Sequence, residues 1–344
     1  MSRVTSARSS IVVAALSSSL ALLALGCGTG AEPASYLGNL RLLATRSEPA
    51  EVSSGQEVTV EALTVDGSGP VSSGVTPGVS VQWRLCTLGT AAGATSTVNP
   101  ECLAASGDFL VPLGSGNRLT FTMPPVDTAT LGIPDVTLGV YVPLRVTVRG
   151  PAAKTGDPER VVDGIYRLRI HDARSPLPLN KNPALAGMWL IADGADTDGG
   201  IHPTVPDGNT GIPDGGTGIT PGAVELFEGQ PYDMRGSDGW LLRALFADGS
   251  QESYPALSND PMAGMMLVAK PETLTVRWYA TSGNVDQSTT GVELPDSRLS
   301  VNAKMPPSDV PIHLPAPGGV IHVYAVGRDD RAGTTWVHRQ LVYR

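Results

Sequence analysis

Val79-Ser80-Val81-Gln82-Trp83-Arg84-Leu85-Cys86 is the stretch whose reading decides the fold. Val79, Val81, Trp83 and Leu85 fall on one face of an extended chain, and Ser80, Gln82, Arg84 and Cys86 fall on the other. Strict alternation is the period of a half-buried strand, and a tryptophan in the middle of the apolar face gives it much to bury. The pattern returns at Leu274-Thr275-Val276-Arg277-Trp278, with the tryptophan on the same face. Further landmarks repeat around the two copies. Residues 37–43 parallel 185–191, Ser54-Gly55-Gln56 parallels Glu228-Gly229-Gln230, and Met123-Pro124-Pro125 parallels Met305-Pro306-Pro307. Four matches in one order describe a degenerate tandem repeat.

The rest of the chain reads the same way. In the first copy, strands are expected at 40–45, 57–65, 119–122, 140–148 and 164–170. In the second, 240–246 forms a strand, and a last hairpin runs 320–328, a turn at 329–333, then 334–343. Forty glycines and 29 prolines punctuate 344 residues, while charged residues are 17% and aromatics 5%. Charged residues average about 25% in ordinary globular chains, so this is a turn-rich chain of modest polarity, suited to many short strands. A chain this long favours two cores over one. The prolines of 172–183 (DARSPLPLNKNP) block helix and mark the linker. The expected layout is β-sandwich domain 1 at 39–171, linker 172–183 and β-sandwich domain 2 at 184–344, the latter with a Gly/Asp/Pro-rich insertion at 193–222. Trp83 and Trp278 should each lie in the core of its own module, so that damage to one core stays local.

Strand, turn and a buried Trp on a central strand resemble the immunoglobulin-like superfamily, in the broad sense that includes fibronectin type III and PKD-like bacterial modules. The resemblance implies an all-β chain of two tandem sandwiches, each with two sheets packed face to face. The paired inter-sheet cysteines of antibody domains are missing, so no antibody-type domain is implied. Such folds carry many functions, and function has to come from sites.

The beginning of the chain carries a different signal. Arg3 and Arg8 precede an apolar run over 11–25, and Leu23-Ala24-Leu25-Gly26 leads directly to Cys27. A basic region, an apolar region and small residues at a cut describe a secretory leader, and the run is shorter than the ~20 residues a spanning helix needs. The last residues resemble a bacterial lipobox. That implies a signal peptide at 1–26, acylation of Cys27 by palmitate-type chains, and a tether at 27–38. The alternative is an ordinary signal peptide with Cys27 incidental. Gly28 stands where an Asp would signal retention in the inner membrane, which points to the outer membrane. The resemblance as a whole is to a bacterial outer-membrane lipoprotein with immunoglobulin-like modules.

Acidic residues number 33 against 24 basic, and the leader would remove two of the arginines, leaving 11 excess negatives. Nucleic acid is thereby disfavoured as a partner, because binding to its backbone needs clustered Lys and Arg. Once Cys27 is acylated, Cys86 and Cys102 remain, sixteen positions apart, in a compartment that permits disulfides. Cys86 is on the outer face of its strand, so a bridge would be a surface staple on the following loop. Two buried free thiols are the alternative.

Candidate sites are few. Asp207 and Asp214 head two consecutive Pro-Asp-Gly turns, with Asp193, Asp196 and Asp198 upstream. Oxygens at short spacing among glycines suit calcium, but the spacing of an EF-hand is absent and a turn-rich insertion has the same composition. His322 and His338 fall on the two strands of the last hairpin, where a zinc site could draw a carboxylate from Asp329 or Asp330. The alternative is two histidines on the solvent face of a sheet. His171, His202 and His313 have no partner at recognisable spacing. The chain holds no His-Glu-x-x-His, Gly-x-Ser-x-Gly or phosphate loop, so no enzyme is expected. The expectation is a non-catalytic, lipid-anchored envelope protein for adhesion, scaffolding or binding of a protein or glycan ligand. The alternatives are a secreted carbohydrate-active hydrolase or its accessory module, and a structural subunit of an envelope complex.

Overall fold

A computed structural model describes residues 33–88, 99–103, 107–125, 140–152, 154, 156–171, 178–192, 223–234, 240–260, 264–292, 295–301 and 315–344. The first module is built from β1 (Arg41–Glu48), β2 (Glu51–Ser53), β3 (Glu57–Asp66), β4 (Gly69–Pro70), β5 (Ser80–Cys86), β6 (Leu110–Ser115), β7 (Arg118–Thr122), β8 (Val140–Gly150) and β9 (Arg160–His171). The second begins with β10 (Leu185–Ala192), β11 (Val224–Leu226), β12 (Tyr232–Met234), β13 (Trp240–Phe246), β14 (Ser253–Asp260) and β15 (Gly264–Pro271). It continues with β16 (Thr275–Ala280), β17 (Asn284–Val285), β18 (Thr289–Gly291), β19 (Asp296–Ser300), β20 (Val320–Arg328) and β21 (Thr334–Tyr343).

In the first module β3 lies between β1 and β7, with β4 alongside, and the opposing sheet runs β2-β9-β8-β5-β6. In the second, β11-β10-β13-β19-β17 opposes β12-β21-β20-β16-β18. The two modules share one scheme. The first strand pairs within one sheet, and a short strand then crosses to the other sheet and pairs in parallel with the last strand, β2 with β9 and β12 with β21. Between them the order of strands is that of an immunoglobulin-like sandwich, with a Trp on the third principal strand. The chain is all-β in the described residues apart from one 3₁₀ turn, Pro100–Leu103.

Each sandwich closes over its Trp. Trp83 packs with Val58, Val60, Leu144, Val146 and Leu168 from both sheets, and its indole N–H donates to the Gly116 carbonyl at 2.8 Å. Trp278 packs with Met188, Leu242, Leu299, Ile321 and Val323, and its N–H donates to Thr290 Oγ1 at 2.8 Å. The second module also carries an extra hairpin, β14–β15, whose strands pair with each other across eight positions and with no other strand among the described residues.

Three expectations change. Ser54-Gly55-Gln56 follows β2, whereas Glu228-Gly229-Gln230 precedes β12, the strand equivalent to β2. The two turns are alike because each needs a glycine at positive φ, 78° at Gly55 and 70° at Gly229, and not because they are equivalent. The tether expected at 27–38 is docked from Ser35 onward. Leu37 N–H donates to the Ala280 carbonyl and Ala280 N–H to the Ser35 carbonyl, both at 2.9 Å, and Leu37 is fully buried. Cys86 and Cys102 are bridged, with Cα atoms 5.7 Å apart, but the bridge is not on the surface. Both cysteines are buried with Leu110, and Leu88, Phe109 and Ile165 cover them. The 3₁₀ turn at Pro100–Leu103 brings Cys102 against Cys86 and Leu110, and the three form a small cluster of their own.

The Asp193, Asp196, Asp198, Asp207 and Asp214 set, Cys27 with its leader, His202 and His313 all lie outside the described residues.

Candidate functional site at the junction of the modules

Strand β3 alternates buried and partly buried positions up to Ala62, and then Leu63, Thr64 and Val65 are buried without a break. Strand β20 does the same from Val323 to Gly327. Continuous burial means that both faces of a strand are covered. Inward-facing Ile321, Val323 and Ala325 belong to the second sandwich, while Tyr324 and Val326 point the other way. There they meet Leu37, Leu43, Ala44, Leu63 and Val65 of the first module, with Tyr279 and Trp336 at the edge. Arg46 of β1 places its guanidinium 4.2 Å from the centre of the Trp336 ring. A third core therefore joins the two sandwiches, beside the separate core that each closes over its own Trp.

Beyond Val326 the junction turns polar. Arg331, from the tight turn between β20 and β21, is buried and inserts between the modules. It lies 3.5 Å from Glu51 of the first module, and 3.3 Å from Glu272 and 3.7 Å from Glu252 of the second. It also donates to the Pro178 carbonyl at 2.7 Å. Glu51 is held on its own side by Arg169 at 3.1 Å and faces His171 at 3.4 Å. Asp329 organises the turn by accepting the Arg331 and Gly333 N–H groups at 2.8 and 2.7 Å. A Cβ on Gly333 would collide with that carboxylate, so the turn needs glycine there.

Residues 178–183, the second half of the expected linker, are part of this assembly. Asn180 is buried, its N–H donates to Glu51 at 2.9 Å, and its amide reaches Asp329 and the Arg331 carbonyl at 3.3 Å. Asn182 donates to the Ser47 carbonyl at 2.7 Å and accepts the Thr334 N–H at 2.9 Å. Ser47 in turn shares a 2.7 Å hydrogen bond with Tyr166, whose phenol burial pushes up to about 12.

Carboxylates outnumber the arginines among these groups, and burial makes the excess costly. Removal from water, reinforced by the neighbouring Asp329, raises Glu272 from 4.5 to about 7. Burial raises Asp329 too, against the hydrogen bonds from Gly333 and Arg331 that favour its charge. Glu272 thus stores a proton at mildly acid pH, which relieves the excess of negative charge around Arg331.

The zinc expectation does not survive the geometry. His322 and His338 do meet, with Nδ1 and Nε2 2.9 Å apart. Asp329 is engaged in its turn, and Asp330 pairs with Lys270 at 2.7 Å. Asp329 stands seven positions beyond His322, roughly 23 Å at the rise of an extended chain. Among the described residues no three His, Cys, Asp or Glu side chains come together to hold a metal ion. Glu51, Arg169, Asn180, Glu272 and Arg331 were not singled out from the sequence as a group. The legible sign was the break in alternation at Leu63-Thr64-Val65 and Tyr324-Ala325-Val326, which marks the strands that carry a second buried face.

No protein-family model matches the chain, and no curated protein matches it. Among solved structures it is similar to a marsupial T cell receptor, at 8% identity over 88% of this chain and 96% of that one, with a TM-score of 0.18. It is also similar to dimeric latent PorU from Porphyromonas gingivalis, at 9% identity and a TM-score of 0.18, and to immunoglobulin domains 1–5 of Sidekick-1, at 12% and 0.19. The chain covers 24% of the PorU chain and 58% of the Sidekick-1 chain, and they in turn match 89% and 88% of it. At TM-scores this low the superpositions carry no argument, and the fold stands on the strand order and the two buried tryptophans.

Proposed function

We propose that this chain is a non-catalytic display or scaffold protein of the bacterial envelope. It is anchored through acylated Cys27 in the outer membrane and offers its sandwich loops to a protein or glycan ligand. The observation that carries the reading is the junction. Glu51, Glu272, Asp329 and Arg331 are buried and spend their charges and hydrogen bonds on one another. Groups used in that way hold two modules in a fixed relation and do not open onto a substrate. A fixed pair of sandwiches is what a display function uses, since rigid geometry spares the ordering cost of binding. The insertion at 193–222 is the place to look for calcium.

The anchor is tested by fractionating cells that express Cys27→Ser. The variant should leave the membrane fraction for the soluble one, because its only covalent hold is gone. Retention on membranes in high salt without detergent would overturn the lipid-anchor reading.

A further inference from the structure

At the end of the junction away from Arg331, the last hairpin presents two imidazoles to the first module. His322 lies opposite Gln340 across the β20–β21 ladder, and His338 lies opposite Tyr324, so the histidines are diagonal neighbours. Their rings are nearly parallel, 9° apart with centroids at 5.1 Å, and His322 Nδ1 meets His338 Nε2 at 2.9 Å. On its other side His338 stacks on Tyr324 at 4.7 Å, and Tyr324 is wholly buried in the core that joins the modules. His322 touches the first module itself. The turn from β3 to β4 passes over it at Gly69, where φ is 117° and a Cβ would lie 2.5 Å from the imidazole Cε1. The backbone of one module therefore rests directly on a titratable ring of the other.

A hydrogen bond between two neutral imidazoles uses one proton, with one ring donating and the other accepting. We propose that this pair is an acid-operated release for the junction: when both rings are protonated the modules part. A second proton would set two N–H donors head to head and place like charges about 3 Å apart in a half-buried site. The rings must then separate, and either displacement disturbs the Gly69 turn or the Tyr324 stack.

The charged groups around the pair are few. From the first module Asp66 faces His322 and favours its charge, although Arg160 stands 3.8 Å from Asp66 and competes for it. From β21 itself Arg339 disfavours charge on His338. Burial lowers both histidines, and burial with His322 and Arg339 nearby takes His338 to about 4 from 6.5. The sign is set by linkage. A folded value below the free one means that closure is fully supported above pH 6.5 and loses support as the pH falls through 6.5 toward about 4. For His338 alone this amounts to a fall on the order of 10²-fold in the ratio of closed to open junction between pH 7.5 and 4.5.

The inference stands apart from anchoring and display, and it is tested on the full chain carrying Cys27→Ser. Residue-resolved hydrogen exchange, corrected for the intrinsic pH dependence, reads rare openings as protection factors. The amides of Leu37 and Ala280 bond across the junction, and that of Trp278 bonds to Ser288 inside the second module. From pH 7.5 to 4.5, Leu37 and Ala280 should lose about 10²-fold more protection than Trp278. His322→Gln with His338→Gln should abolish that difference while leaving Trp278 as it was. An undiminished difference in the double variant would overturn the proposal. So would equal loss at all three amides in the unsubstituted pair, since acid would then act on the whole fold; that result is readable even if the double variant does not fold.

Discussion

Trp278 and Arg331 are equally hidden from water, and they are hidden by opposite means. The indole of Trp278 is surrounded by aliphatic side chains of both sheets and needs one partner, Thr290, for its single polar atom. The guanidinium of Arg331 has three carboxylates within 4 Å and a backbone carbonyl besides, contributed from both modules. A sandwich interior is stable because its volume is filled, and what matters there is shape. The junction is stable only while its charges are matched, and what matters there is the count of partners. Acid and base should therefore act on the junction before they reach the interiors.

The comparison is sharpest where two substitutions cost the same and differ in rescue. Trp83→Ala or Trp278→Ala should cost about 3–5 kcal/mol as a cavity, and Arg331→Met about 3–5 kcal/mol as stranded carboxylates. Adding Glu51→Gln and Glu272→Gln should restore much of the loss in the Arg331 variant, whereas no neutralisation should help the Trp variants. Denaturant midpoints decide it, and failure of the rescue would mean that Arg331 acts by packing alone. Calorimetry on the Trp variants measures how far the shared core couples the modules. A single transition lowered by either change is expected, and two separate transitions would show the junction to be weak.

A smaller effect separates the modules from each other. Only the first carries a disulfide, and replacing Cys86 and Cys102 together by Ala should cost about 2–4 kcal/mol on the chain-entropy estimate for a short loop. The loss should be largest for amides of β5 and β6 and smallest for those of β20. Uniform loss across both modules would make the bridge a global and not a local staple.

The smallest expected effect distinguishes the two ends of the junction. Because the folded value of Glu272 is raised from 4.5 to about 7, its contribution is fully present below pH 4.5 and is lost as the pH rises through 7. The histidine end runs in the opposite sense. Glu272→Gln should therefore flatten the fall in melting temperature between pH 5 and 8 and leave any acid limb unchanged. A variant with the same slope as the parent would place the titration elsewhere.

Much of the fold was legible because strands advertise themselves one at a time. The hairpin expected at 320–328 and 334–343 coincides with β20 and β21, and the 79–86 stretch with β5 to within one residue. Alternation is local, and a reader needs only neighbours to see it. The junction was not legible, because Glu51, Asn180, Glu272 and Arg331 meet across most of the length of the chain and obey no period. The β14–β15 hairpin escaped notice for another reason. Its strands hold Pro255 and Pro271, which disfavour a central strand, and a two-stranded hairpin tolerates them because each of its strands is an edge. The buried position of the disulfide was missed because facing outward from one sheet was equated with facing water.

The docking of residues 35–37 has a mechanical consequence. A pull on the chain ahead of Pro33 does not reach β1 first. It meets the hydrogen bonds that tie Ser35 and Leu37 to Ala280, in the middle of the second module. Tension is therefore divided between both sandwiches from the outset, and stretching one means dragging the other. Under force the pair should resist as a single short link, not as two beads on a string.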